Sequence, residues 1–187
     1  MASNTPSYAA NIAVRAFLTR VGRLYLGRVF DTRYGKGKED WIRIKESVFE
    51  NSCAYCGATE TKLTIEHLEM FNKSQCGLHH PGNIVPCCES CNVKRGLDDK
   101  NEPVDWETHL RKKNSPSGTL GSSFKIRLNR IRAHINREGY PNMNKDERQE
   151  LKRLAESLYG SITDASKQAI DDYQGVYDLH SQTSSTC

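Results

Sequence analysis

The chain has 187 residues, 36% hydrophobic and 27% charged, enough for one ordinary domain with a modest core. No apolar run approaches the roughly 18–20 residues that a bilayer span needs, which excludes a helical membrane protein. The formal net charge of +4 is unevenly spread: residues 1–50 hold 9 Lys/Arg against 5 Asp/Glu and residues 101–140 hold 8 against 4, while the centre is near neutral and residues 141–187 are acidic. Basic flanks around a neutral centre suit a protein that neutralises phosphates, although solvated surface charge has the same signature.

The opening MASNTPSYAANIAV lacks a basic stretch ahead of an apolar one, so no secretory signal is expected, and the protein is expected to be soluble and cytoplasmic with no membrane partner. Apolar residues at Ile12, Phe17, Val21, Leu24 and Val29 predict a helix over 9–30. RYGKGKED reads as a loop, and WIRIKESVFEN as a short helix burying Trp41, Ile44 and Val48, completing an N-terminal helical arm over 1–50. A core follows over 51–112, with a strand in TKLTIEHL, a polar loop, a short strand in NIVP and the start of a helix. Residues 113–123 (KNSPSGTLGSS) read as a linker. A C-terminal helical region spans 124–180. Its first helix aligns Phe124, Leu128, Ile131 and Ile135, with Gly139 as the stop. Asn144 and Glu147 form a capping box for a second helix ending near Gly160. A third covers about 163–177, and 181–187 is a disordered tail. The fold class is α+β.

Seven cysteines in a reducing compartment point away from disulfides. Cys53 and Cys56 (CAYC) and Cys88 and Cys91 (CESC) form two CxxC turns, the spacing that brings four thiolates to one tetrahedral zinc. Such a closed site has no open position, so this zinc is structural. Cys87 breaks the spacing, Cys76 reads as an ordinary thiol, and Cys187 belongs to the tail.

Between and after these pairs lie Glu66, His67, Asn83 and Asn92. In the segments CAYCG, IEHLEM and NIVPCCESCNVKRG, about 44 of the 187 residues, the sequence resembles the HNH endonucleases, a branch of the ββα-metal nucleases. That family has a CxxC, an Asp-His-apolar strand end, and an Asn five residues before a second CxxC that runs into Asn or His and a basic residue. The resemblance implies a ββα-metal core around the zinc, flanked by helices from both ends, and cleavage leaving 5′-phosphate and 3′-hydroxyl ends. It also implies that Asn83 holds the loop carrying His67.

The chemistry fits these residue types. His67 titrates near working pH and suits a general base. Glu66 and Asn92 offer hard oxygen ligands for one Mg²⁺ or Mn²⁺, with Asn92 alternatively a simple helix cap. Lys94 and Arg95 are candidate phosphate clamps, as are Lys125, Arg127 and Arg130 on the basic helix, whose charges also fit an ordinary amphipathic surface. His79 and His80 read as solvated loop histidines, with contact of one of them to phosphate or metal as the alternative. The family has Asp where this chain has Glu66, and a regular strand would send Glu66 and His67 to opposite faces, so a bend or bulge is expected there. The resulting expectation is a DNA endonuclease of the type II restriction kind, cutting double-stranded sites as a homodimer if the site is symmetric. A homing, phage or junction-resolving nuclease, an RNA nuclease, and a catalytically inactive zinc-dependent DNA-binding module are the alternatives.

Overall fold

The computed structural model defines residues 5–92, 104–115 and 121–183. Helix α1 spans Pro6–Leu26. Thr5 accepts the Tyr8 N–H as its N-cap, Pro6 sits in the first turn, and Gly27 ends it in the left-handed region at φ 72°. Its buried stripe is Ala10, Val14, Leu18 and Gly22, not the larger residues that the apolar pattern singles out. Leu24 is 81% exposed and Val29, beyond the helix end, 59%. A four-residue repeat of small and medium side chains lets α1 approach its neighbours closely, which a bulkier stripe would prevent.

Helix α2 (Gly35–Arg43) continues into a π-helical turn at Ile44–Val48. The GKGKED stretch, expected as a loop, is therefore the opening of a helix. One interior glycine, Gly37, costs about 1 kcal/mol. The buried Asp40 offsets this, with Arg28, Lys36 and Arg43 around its carboxylate, as does burial of Ile44.

Strand β1 (Leu63–His67) pairs antiparallel with β2 (Ile84–Cys88), in register from Leu63 opposite Cys88 to His67 opposite Ile84. This is the one sheet among the described residues. β1 is half exposed, while β2 is buried throughout. The helix expected after Cys91 falls in residues 93–103, outside the described residues, so the third element of a ββα unit has no structural account here.

Helix α3 (Trp106–Asn114) starts on Asp105, which accepts the Thr108 N–H. Helix α4 spans Ser122–Arg137 and buries Phe124, Ile131 and His134. The expected linker 113–123 is shorter than its composition indicates: Lys113 and Asn114 close α3, Ser122 opens α4, and 116–120 lie outside the described residues.

Helix α5 (Lys145–Thr183) is a single 39-residue helix, where two were expected, and it takes in residues 181–183 of the presumed tail. Asn144 and Glu147 cap its start reciprocally, through 2.9 and 2.7 Å bonds. Gly160 does not interrupt it, because packing along α1 outweighs one glycine's helix penalty. No described helix is long and apolar enough to cross a membrane.

Two apolar clusters result. One gathers Phe30, Ile44, Phe49, Tyr55, Leu68, Ile84, Val85, Leu110, Phe124 and Ile131 around the buried cysteines. The other joins Val14 and Leu18 of α1 to Met143, Leu151 and Ala155 at and after the start of α5, over Cys76 and Leu78. The 68–83 segment is held between them.

Candidate functional site

The two CxxC turns meet. One ligand atom from each of Cys53, Cys56, Cys88 and Cys91 lies within 4.8 Å of the others, and Cys56 Sγ is 3.6 Å from Cys88 Sγ. A tetrahedral zinc with bonds near 2.3 Å requires sulfurs about 3.8 Å apart. Gly57, at φ 79°, closes the first turn, and its N–H donates to the Cys53 carbonyl. The Asn92 N–H does the same for the Cys88 carbonyl.

The electrostatics also call for a cation. Burial and the neighbouring cysteines push the Cys91 thiol up, and burial does the same to Cys56. Cys53 is drawn down by a hydrogen bond from the Cys87 thiol and by backbone N–H groups. Four crowded sulfurs cannot all ionise unless a metal compensates them.

Helix α3 braces both turns. Asn114 Nδ2 donates to the Tyr55 carbonyl at 2.8 Å, Lys113 Nζ to the Ser90 carbonyl at 2.7 Å, and the His109 ring lies 3.1 Å from the Cys91 carbonyl.

His67 ends β1. Its Nε2 is 3.1 Å from Nδ1 of His79, and its ring stacks on Phe71, with centroids 4.8 Å apart at 17°. His79 is not a solvated loop histidine: it packs against Phe30, and burial lowers its proton affinity, with Arg23 acting the same way and Asp31 opposing. Nor is His80, which is 1% exposed. Its Nδ1 accepts the Gly82 N–H at 3.1 Å, and burial lowers its pKa to about 4. The HHPGN motif bends the chain inward, into the 3-10 turn Pro81–Asn83.

Asn83 is 1% exposed and spans the loop after His67. Its Oδ1 accepts the Glu69 N–H at 2.7 Å, and its Nδ2 donates to the carbonyls of Glu69 (3.0 Å) and Leu78 (2.9 Å). The Asn83 carbonyl accepts the Leu68 N–H. Tyr140 adds a clasp from outside, its hydroxyl donating to Glu69 and accepting the Leu78 N–H.

Glu66 and His67 are paired in register with Val85 and Ile84 without an extra residue. The expected bulge is absent, and the two side chains leave β1 on opposite faces. Glu66 shares the face of Thr64. There Asn92 Nδ2 donates to Thr64 Oγ1 at 2.8 Å. Asn92 is thus near the Glu66 face and not beside His67.

The basic residues expected to hold nucleic acid divide. Lys94 and Arg95 lie outside the described residues. Arg127 donates to the side-chain Oδ1 of Asn114 and lies against Gly57, and Arg130 pairs with Glu50 at 3.2 Å. Both line a cavity of about 280 Å³ beside the first CxxC turn, together with Phe49 and Ile126. Lys125 is exposed.

The chain matches no family model, no curated protein and no solved structure. The reading of this site therefore stands on its own geometry and on the sequence motifs. Sequence reasoning missed His79 as the partner of His67, and the bracing by His109, Lys113 and Asn114. No local pattern announces a contact between residues 12 to 59 positions apart.

Proposed function

We propose that this protein is a zinc-stabilised, metal-dependent DNA endonuclease of the HNH type, acting on double-stranded DNA in the manner of a type II restriction enzyme. The observation that carries the reading is His67 at the end of a short strand, its ring fixed by His79 and Phe71, with the following loop locked by Asn83. A purely structural histidine would not need a loop clamped so completely beside it.

In this mechanism His67 takes a proton from the attacking water as the new P–O bond forms. The bond to the 3′-oxygen breaks, and that oxygen leaves as a hydroxyl by taking a proton from a solvent water, while His67 later returns its own proton to solvent. Phe71 stacking and the His79 edge contact limit ring rotation, so the base is held ready. Glu66 and Asn92, on the face of β1 opposite His67, are the residues that would hold Mg²⁺ or Mn²⁺, an ion that would neutralise phosphate charge when bound. Zinc at Cys53, Cys56, Cys88 and Cys91 would have no open coordination position and would serve the fold.

One observation favours a second reading, a DNA-binding module without catalysis: Glu66 and His67 leave β1 on opposite faces. A plasmid cleavage assay with Mg²⁺ decides between them. Discrete fragments, absent with His67→Ala and with EDTA, support the endonuclease. No cutting by folded, zinc-loaded protein across Mg²⁺, Mn²⁺ and Co²⁺ refutes it.

A further inference from the structure

The cations that face the His67–His79 pair come from α1, not from the basic helix α4. Arg15 places its guanidinium carbon 6.0 Å from the centroid of Phe71, the ring that stacks on His67. Eight residues further on, Arg23 lies close enough for its charge to act on His79. Helix α1 reaches this position because residue 22 is glycine: a Cβ there would stand 2.7 Å from the His79 carbonyl oxygen.

Most other arginines of the described residues are already engaged. Arg28, Arg33, Arg43, Arg130, Arg132, Arg148 and Arg153 pair with carboxylates, and Arg127 with Asn114. Neither Arg15 nor Arg23 has a carboxylate partner among the described residues, and Arg23 Nε is buried without a hydrogen-bond partner. A buried guanidinium nitrogen without a partner, next to the His67–His79 pair, is costly unless an anion completes it. Its planar fork matches a phosphodiester. The eight-residue spacing puts the two side chains about 12 Å apart along the helix axis, which is three to four base steps at about 3.4 Å of rise per strand.

We infer that Arg15 and Arg23 are the phosphodiester-binding residues of this site, gripping the DNA backbone alongside His67. The inference rests on the nuclease reading for its choice of ligand. It makes α1 the wall along which the substrate strand runs, and it leaves Arg127 and Arg130 to brace the metal centre.

The test is binding of a short fluorescent DNA duplex by full-length, zinc-loaded protein carrying His67→Ala, read by anisotropy over a series of salt concentrations. Arg15→Gln and Arg23→Gln should each weaken binding roughly tenfold or more. The double variant should flatten the slope of log K against log salt by about 2. Arg23→Lys should restore most of the slope but less of the affinity, because it returns the charge without the fork. Lys125→Gln should change binding less than threefold. Unchanged melting temperatures establish that the variants are folded.

An unchanged slope in the double variant, with loss on Lys125→Gln, overturns the inference and moves the interface to α4. Failure of the parent protein to bind duplex sinks both the inference and the nuclease reading. If the slope falls as expected but the unsubstituted protein cuts nothing with Mg²⁺, the clamp stands and only the catalytic reading fails.

Discussion

Replacing Asn83 by Asp keeps the shape of the side chain and reverses one half of its hydrogen bonding. In the native protein Oδ1 accepts from Glu69 N–H while Nδ2 donates to two carbonyls, at 3.0 and 2.9 Å, all at a residue 1% exposed. In Asn83→Asp the second position becomes a carboxylate oxygen facing those two carbonyls. Two donor bonds are lost, at about 1 kcal/mol each, and two acceptors are left unsatisfied against an anion, at about 1–3 kcal/mol each. The new carboxyl can escape part of this by taking a proton and donating it to one carbonyl. Holding that proton at pH 7 against an ordinary Asp value near 3.9 costs about 4 kcal/mol, which caps the deficit at roughly that size.

The variant should therefore be about 4 kcal/mol less stable than wild type at pH 7. Its folded-state pKa lies above the unfolded value, so the deficit is largest above the folded value and shrinks as pH falls. The shrinkage is at most about 1.4 kcal/mol per pH unit. Urea denaturation of both proteins between pH 7.5 and 5 measures this directly, with Asn83→Ala as a pH-independent comparison. A deficit under 1 kcal/mol, or one that grows on acidification, would refute the account of Asn83 as a buried two-way clamp.

Metal analysis should find one zinc per chain. Cys91→Ser or strong chelation should lower the melting temperature by about 10 °C or more, whereas Cys76→Ser, away from the cluster, should leave the zinc content at one; a chelator-insensitive melt would count against the metal centre. Acid should destabilise the fold through His80, whose pKa is lowered by burial to about 4 from about 6.5 unfolded. A depressed histidine contributes stability that is fully present above pH 6.5 and lost as pH falls toward 4, about 3 kcal/mol in all. His79 and His134 are shifted in the same direction by burial. Denaturation from pH 7.5 to 4.5 should show that slope, and His80→Asn, which retains an acceptor for Gly82 N–H, should flatten it; a flat wild-type profile would contradict the burial of these rings.

Short-range chemistry was readable from the residues themselves. The two CxxC turns, the strands through TIEH and IVPC, and the Asn144–Glu147 cap each depend on neighbours within a few positions, and each is found where the pattern predicts it. The rest depended on tertiary partners. The length of α5 across Gly160 reflects its packing along α1, and periodicity could not tell that Ala10, Val14 and Leu18, not Ile12 and Leu24, face inward. The position of α2 hinges on a buried Asp40 that looks like any surface acid in GKGKED. At the site, the motif named His67 and Asn83 but was silent on His79 and α1, because those contacts arise only when separate segments pack.

The pairing of α1 with α5 carries a consequence for how the molecule comes together. Leu18 and Ala155 share one cluster although 137 positions separate them in the chain, so the loop closed by that contact is among the longest available. Such contacts are slow to form because closure entropy is lost before packing compensates it. The metal centre, by contrast, closes over fewer than 40 positions, from Cys53 to Cys91. During synthesis the zinc-bearing half can therefore fold while α1 still waits for α5 to be made. Helix α5, made after the metal centre, packs along α1, the wall beside His67, so the complete site waits for α5.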